Sequence, residues 1–268
     1  MTPKPPKPVV LVTGASRGIG LAVVRILLDD LDAIVVTLSR TRTPELRELL
    51  SKHISTLMVI DCDVTDETAL ATAISTVSKT YQRLDGLILN AGTLGELKKI
   101  SSPTLSLADW KLTFDVNFFS LVQTLNICTP LLKSSIFGGR VIFVSSGAAT
   151  GGIATWGAYS ASKAAMNSLA RTFANEEPDI VSVAVRPGAV DTDMQGVLRA
   201  TGPGAMNPTD ISRFIQMHEA GTLVKPEDTG YVIASLALKA PKSLSGAFVS
   251  WDKEECEEFR RPVQKAEE

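Results

Sequence analysis

A glycine-rich turn wedged between a strand and a helix constrains this chain more than any other feature. "VVLVTG" (Val9–Gly14) is a run of apolar, mostly β-branched residues, the pattern of a strand covered on both faces. "GLAVVRILLDD" (Gly20–Asp30) then places apolar residues at helical spacing. Between them "TGASRGIG" carries Gly14, Gly18 and Gly20. Such glycines permit a tight turn and let the backbone at a helix N-terminus approach a phosphate. The spacing is G-x-x-x-G-x-G rather than the usual G-x-G-x-x-G, and a plain strand–helix turn would also use glycine. Position decides the matter: a turn after the first strand of an alternating chain is where a dinucleotide pyrophosphate binds.

The alternation continues to the far end. Further strands are expected at Ala33–Ser39, in "TLMVIDCDV", at Leu84–Gly92, Arg140–Ser146, Ile180–Gly188 and Gly246–Trp251. Helices are expected after Thr43–Pro44, from about Asp66 to Lys79, from about Ser106 to Lys133, from Tyr159 to about Asn175, and at Glu227–Lys239. The segment from Ala189 to Lys225 reads as irregular. With no internal repeat or linker, the expectation is an α/β fold: a single Rossmann-like, doubly wound domain with a seven-stranded parallel sheet and helices on both faces. Residues 9–252 would form it, with 1–8 a disordered Pro/Lys tail and 253–268 a C-terminal tail. Gly14, Asp63, Asn90, Ser146 and Pro187–Gly188 would all fall at carboxyl ends of strands, lining one crevice.

Composition removes several other classes. Hydrophobic residues at 44% and charged residues at 21% fit a water-soluble globular protein. A net charge of −2 without a basic block gives no footprint for nucleic acid. No apolar run is long enough for a membrane span, and "MTPKPPKP" does not read as a secretory signal, so a cytoplasmic location is expected. Cys62, Cys128 and Cys256 form no CxxC pair and are expected as free thiols. Neither His53 nor His218 stands at ligand spacing from a cysteine or another histidine, so no metal site is expected. No G-x-S-x-G elbow supports a serine hydrolase.

The second strand ends in "VTLSRTR", with Arg40 and Arg42 where NAD enzymes carry a carboxylate for the ribose 2′-hydroxyl. Arg17 in the glycine turn adds a cation. Guanidinium groups suit a 2′-phosphate, so NADP(H) is the expected cofactor, although solvated surface arginines would read the same way.

"GAYSASKAAM" sets Tyr159 and Lys163 four residues apart on one helix face. A nearby ammonium favours phenolate over phenol, which predicts a tyrosine pKa pulled down from about 10. Together with "TGASRGIG", "NAG" (Asn90–Gly92), Asn117 in "FDVNFFS" and Ser146 thirteen residues before the tyrosine, this stretch resembles the short-chain dehydrogenase/reductase family from about Val9 to Trp251. The resemblance implies a hydride-transferring oxidoreductase. Tyr159 would be its general acid, Ser146 would hold the carbonyl oxygen, and Lys163 would grip the nicotinamide ribose. Asn117 would support a water relay to the lysine. It implies cofactor contacts from Gly14, Ser16, Arg17, Gly18, Ile19, Gly20, Arg40, Asp63, Val64, Asn90, Ala91, Gly92, Tyr159, Lys163, Pro187, Gly188, Val190 and Thr192. Asp63 could instead cap the following helix.

Within the family, "FDVNFFSLV", "FVSSGAA" and "AYSASKAAMN" are most similar to benzil reductases and sepiapterin reductases. Where the sepiapterin branch has an aspartate for the pterin, this chain has Ser250, with Asp252 two residues later. The segment after Thr192 is where the family builds a substrate lid; here it holds Met194, Met206, Phe214 and Met217, with Gly202 and Gly204 as hinges. Met194 and Trp156 are the expected pocket residues, and flexible methionines suit an aromatic ketone or 1,2-diketone. The partner is thus a small-molecule carbonyl compound. By resemblance the protein would be a homodimer joined through helices 106–133 and 159–175. A non-catalytic NADPH sensor is the rival of another class; it would not need an intact Ser146–Tyr159–Lys163 set.

Overall fold

A computed structural model describes residues 5–262. Seven strands form one sheet in the order β3-β2-β1-β4-β5-β6-β7, and every pair is parallel. They are β1 (Val9–Thr13), β2 (Ile34–Ser39), β3 (Leu57–Asp61), β4 (Gly86–Leu89), β5 (Arg140–Val144), β6 (Val181–Arg186) and β7 (Phe248–Ser250). The strand order reverses between β1 and β4, so a crevice opens there beyond the carboxyl ends.

The two-residue period of a strand explains the layers. Val10 and Val12 of β1 join one apolar cluster with helices α1 (Gly18–Asp29), α2 (Pro44–Lys52) and α9 (Pro226–Lys239). Val9 and Leu11 join another on the opposite face, with α3 (Glu67–Tyr81), α5 (Ser120–Lys133) and α6 (Gly157–Glu176). The doubly wound expectation holds.

Three local expectations need correction. The helix expected over 106–133 is broken: α4 (Leu107–Phe114) passes into a π-helical turn at Asp115–Phe119 before α5 begins. The segment 189–225 is not irregular, because it contains α7 (Asp193–Thr201) and α8 (Pro208–Glu219). The domain also does not stop at Asp252. Residues Glu254–Phe259 form a 3-10 turn that buries Cys256 and Phe259 in the α1/α9 layer, and Arg261 reaches Asp30 at 2.7 Å. Of the expected tails, residues 1–4 and 263–268 lie outside the described residues. Lys7 and Pro8 are tied down, their carbonyls accepting from Arg83 at 2.9 Å and from the Ile34 N–H at 2.8 Å.

Candidate functional site

The glycine turn is built by close approach. Gly14 (φ +66°) and Gly18 (φ +54°) occupy the left-handed region. A Cβ on Gly20 would lie 2.3 Å from the Gly14 carbonyl oxygen, and one on Gly14 would lie 2.7 Å from the Ala91 Cα. Asn90 fastens this turn to the end of β4: its amide donates to the carbonyls of Thr13 at 3.0 Å and Gly14 at 2.9 Å. Thr13, which the sequence reading passed over, accepts from the N–H groups of Asn90 and Ala91 at 3.0 and 3.1 Å. Thr43 was also missed as a site residue. It caps α2 and donates to the Ser16 carbonyl at 2.9 Å.

These residues fit a dinucleotide. The α1 N-terminus has neither a side-chain cap nor an acidic residue in its first turn, so a phosphate there would meet its backbone donors without competition. Arg17, at the N-cap position, reaches across the crevice to Asp193 of α7 at 3.2 Å. Thr192, at the α7 N-cap position, lies close enough that a Cβ on Gly18 would sit 3.1 Å from its methyl group. The lid and the turn therefore share one wall.

At the end of β2 the two arginines part company. Arg42 is held by Asp61 at 2.8 Å and by the Val59 carbonyl at 3.3 Å. Arg40 is exposed and, among the described residues, makes no hydrogen bond, although its charge acts on Asp63. Asp63 does not cap α3; Asp66 does, accepting from the Ala69 N–H. Asp63 instead accepts from the Thr65 N–H and hydroxyl at 3.0 and 2.8 Å. Burial pushes its carboxyl up, but the Thr65 bonds and Arg40 outweigh this and hold it below the usual carboxylate value. Val64 beside it is buried.

The reactive side chains come from β5 and α6. Ser146 follows β5; its oxygen accepts from the Ala148 N–H at 3.1 Å, and its hydroxyl faces Tyr159 as a donor. Tyr159 and Lys163 are both buried, with the ammonium 5.8 Å from the centre of the phenol ring. Lys163 donates to the Val144 carbonyl at 2.8 Å, and burial pushes its pKa down to about 8. The expected lowering of the tyrosine is not what the site shows. Burial raises the Tyr159 pKa above its ordinary 10, with the Ser146 hydroxyl pulling the other way. A phenol sealed from water resists ionising more strongly than this lysine promotes it.

Asn117 stands in the π-helical turn, fully buried. Its amide accepts from the Thr93 N–H and donates to the Thr93 carbonyl, both at 2.8 Å, and donates to the Ser162 hydroxyl at 3.1 Å. It thereby pins the loop after Ala91 and Gly92 against α6. Ser145 and Asn167, also missed, join β5 to α6 through a 2.6 Å bond.

On the far wall, Pro187 is buried after β6 and Gly188 turns at φ +84° under the Trp251 indole. Val190 pairs with Val224 as an isolated bridge, and Thr192 donates to the Val190 carbonyl at 3.3 Å. Helices α7 and α8 pack over the tyrosine: Leu198, Met206 and Ile211 form one apolar cluster with Trp156 and Tyr159, and Phe214 packs against it. Met194 is more than a third exposed, so it sits at the rim of this cluster. A Cβ on Gly202 would meet Ile211 at 2.5 Å, whereas Gly204, at φ +136°, faces open space.

The site is therefore a glycine turn beside a half-buried serine hydroxyl and a buried phenol and ammonium, under the apolar faces of α7 and α8. Sequence and structure comparisons agree with this geometry. A family model for short chain dehydrogenases matches residues 8–202. The chain is 39% identical over 254 residues to a Saccharomyces cerevisiae (strain ATCC 204508 / S288c) protein named benzil reductase ((S)-benzoin forming) IRC24, covering 92% of this chain and 96% of that one. It is 40% identical over 244 residues to a Schizosaccharomyces pombe (strain 972 / ATCC 24843) oxidoreductase, C30D10.05c, covering 91% and 96%. The crystal structure of the YIR035C short chain dehydrogenase/reductase from S. cerevisiae superimposes with a TM-score of 0.89 at 35% identity, covering 95% of this chain and all (100%) of that one. No helix among the described residues is long and apolar enough to cross a membrane. On its glycine turn, its Ser146–Tyr159–Lys163 set and these matches, this chain belongs to the short-chain dehydrogenase/reductase family of oxidoreductases.

Proposed function

We propose that this protein is an NADPH-dependent carbonyl reductase that reduces ketones, and 1,2-diketones of the benzil type in particular. The observation that carries the reading is the gathering of the Ser146 hydroxyl, the Tyr159 phenol and the Lys163 ammonium beside the glycine turn. The relative named benzil reductase supports the substrate class. So does the lid, whose contribution to the space over Tyr159 is apolar and aromatic.

NADPH, when bound, supplies hydride from its nicotinamide C4. Ser146, its hydroxyl facing Tyr159, turns its proton to the substrate oxygen and stabilises the charge that builds there. Tyr159 then gives its own proton to that oxygen. Its raised pKa keeps it protonated until the oxygen becomes basic enough to take the proton. Lys163, the cation over the ring, offsets the phenolate charge as it forms. Asn117 acts from behind, fixing Thr93 and Ser162. With its amide committed to them, the implied water relay would attach at the widened backbone of the π-helical turn. Arg40, exposed at the end of β2, is the residue for the 2′-phosphate.

The reading extends to a cytoplasmic homodimer. Leu112, Phe119 and Val122 support the dimer: they are 57%, 55% and 41% exposed apolar side chains on α4, the π-helical turn and α5. The test is loss of NADPH absorbance with a panel of monoketones and diketones. Turnover of diketones that disappears in Tyr159→Phe is expected; no turnover of any carbonyl compound overturns the reading.

A further inference from the structure

The loop leading into α6 is strained at a buried, β-branched residue. Three non-glycine residues among those described have positive φ: Asp32, Gln82 and Thr155. Asp32 and Gln82 are exposed, whereas Thr155 (φ +74°) is buried. A β-branched side chain in this region is costly, and such strain persists where the surroundings over-determine it. What it positions is Trp156, the next residue.

Trp156 is clamped on two sides. Its indole meets the Tyr159 ring edge-on, 86° between planes and 5.5 Å between centres. Its other neighbour is Phe214 of the lid, stacked at 13° and 5.8 Å. The residue is 7% exposed, yet its Nε1–H has no hydrogen-bond partner among the described residues. Leaving a buried donor unmade is expensive, and a phenylalanine would pack here without that cost. An indole N–H can only donate, so an acceptor is what it lacks. Other buried oxygens without a partner include those of Thr155 and Ser160 in the same stretch and the Gln195 carbonyl on α7, and none of them accepts from the indole.

We propose that the Trp156 indole N–H is the donor for a second substrate oxygen, the one on the carbon next to the reacting carbonyl. The inference rests on the carbonyl reductase reading and narrows it. In this arrangement Tyr159 and Ser146 take the oxygen being reduced, and Trp156, its ring centre 5.5 Å from that of Tyr159, takes the neighbouring oxygen once Phe214 moves off the now fully covered indole. Trp156 is then a specificity-determining residue that selects vicinal dicarbonyl compounds over monoketones. A site holding a donor for a given oxygen rejects the analogue that lacks it, because the donor stays unpaired.

Trp156→Phe keeps an aromatic wall but removes the donor together with part of the indole's volume, so the difference between two substrates is what is read. Its activity is compared on benzil and on deoxybenzoin, which has the same two rings but a methylene in place of one carbonyl. The expected result is a fall in kcat/KM for benzil about tenfold larger than the fall for deoxybenzoin. Equal falls on both substrates, or no fall on benzil, would overturn the assignment and leave Trp156 a packing residue. A second readout does not need that variant to fold. In Tyr159→Phe protein with NADPH, the three indole N–H resonances are assigned through Trp110→Phe and Trp251→Phe. The Trp156 signal should move downfield with benzil and stay with deoxybenzoin. The same shift with both, as lid closure onto Gln195 would give, or no shift with either, counts against the proposal. If wild-type protein reduces deoxybenzoin as well as benzil, Trp156 selectivity alone fails. If it reduces no carbonyl compound at all, the reductase reading fails and takes this one with it.

Discussion

Lys163 donates its ammonium proton to the carbonyl oxygen of Val144, the last residue of β5, across 2.8 Å in the protein interior. The bond fixes where the cation stands, and burial makes that cation expensive. Folded, the group titrates near 8; unfolded, near its ordinary 10.5. Below the lower value the cost of the buried charge is present in full. Between the two, the folded protein has released a proton that the unfolded chain still holds, so stability from this residue rises with pH. Comparing urea unfolding of wild type and Lys163→Met at pH 7 and about pH 10 should show the difference shifting toward wild type by on the order of 2–3 kcal/mol. Parallel pH curves would mean that Lys163 keeps its ordinary pKa.

Gly20 allows no side chain. Gly20→Ala places a methyl group 2.3 Å from the Gly14 carbonyl oxygen and 2.5 Å from the Asn90 amide. The turn must open, at a cost of about 1–3 kcal/mol in stability. NADPH affinity should fall by more than tenfold, measured by fluorescence titration.

Arg40 and Arg42 look equivalent in the sequence, and the fold separates them. Arg42 is committed to Asp61 and Val59. Arg40→Ala should weaken NADPH about ten- to a hundredfold while barely altering NADH. Arg42→Ala should leave the NADPH/NADH ratio within about twofold. Equal losses for both cofactors in Arg40→Ala would remove its assigned role.

Asn117→Ala strips Thr93 of both its backbone partners and Ser162 of a donor. A loss of about 1–3 kcal/mol is expected in thermal or urea unfolding, with reductase activity falling alongside it. Asn117→Asp keeps the acceptor for the Thr93 N–H and should fall between the two.

Much of this site was legible because its signals are local. The glycine turn, the alternation of strands and helices, and the four-residue spacing of Tyr159 and Lys163 each follow from neighbours in sequence. What escaped depends on distant partners. The helical pattern runs unbroken through Phe114–Phe119, and nothing nearby announces that Asn117 bonds Thr93, twenty-four residues away. Helices α7 and α8 are short and separated by "GPGAMN", which reads as loop; their Leu198 and Ile211 find burial only against Trp156 and Tyr159. The acidic run around Cys256 resembles a solvated tail until Cys256 and Phe259, three residues apart, are seen buried together. The tyrosine pKa was misjudged for the same reason, since the lid that seals it lies in the segment read as irregular.

The most direct test follows the hydride and the proton together. Wild-type protein given NADPH deuterated at the transferable C4 position should yield benzoin carrying deuterium at its carbinol carbon, and Tyr159→Phe should yield almost none. Product without deuterium, or equal labelled product from Tyr159→Phe, would contradict hydride reduction with Tyr159 as the acid.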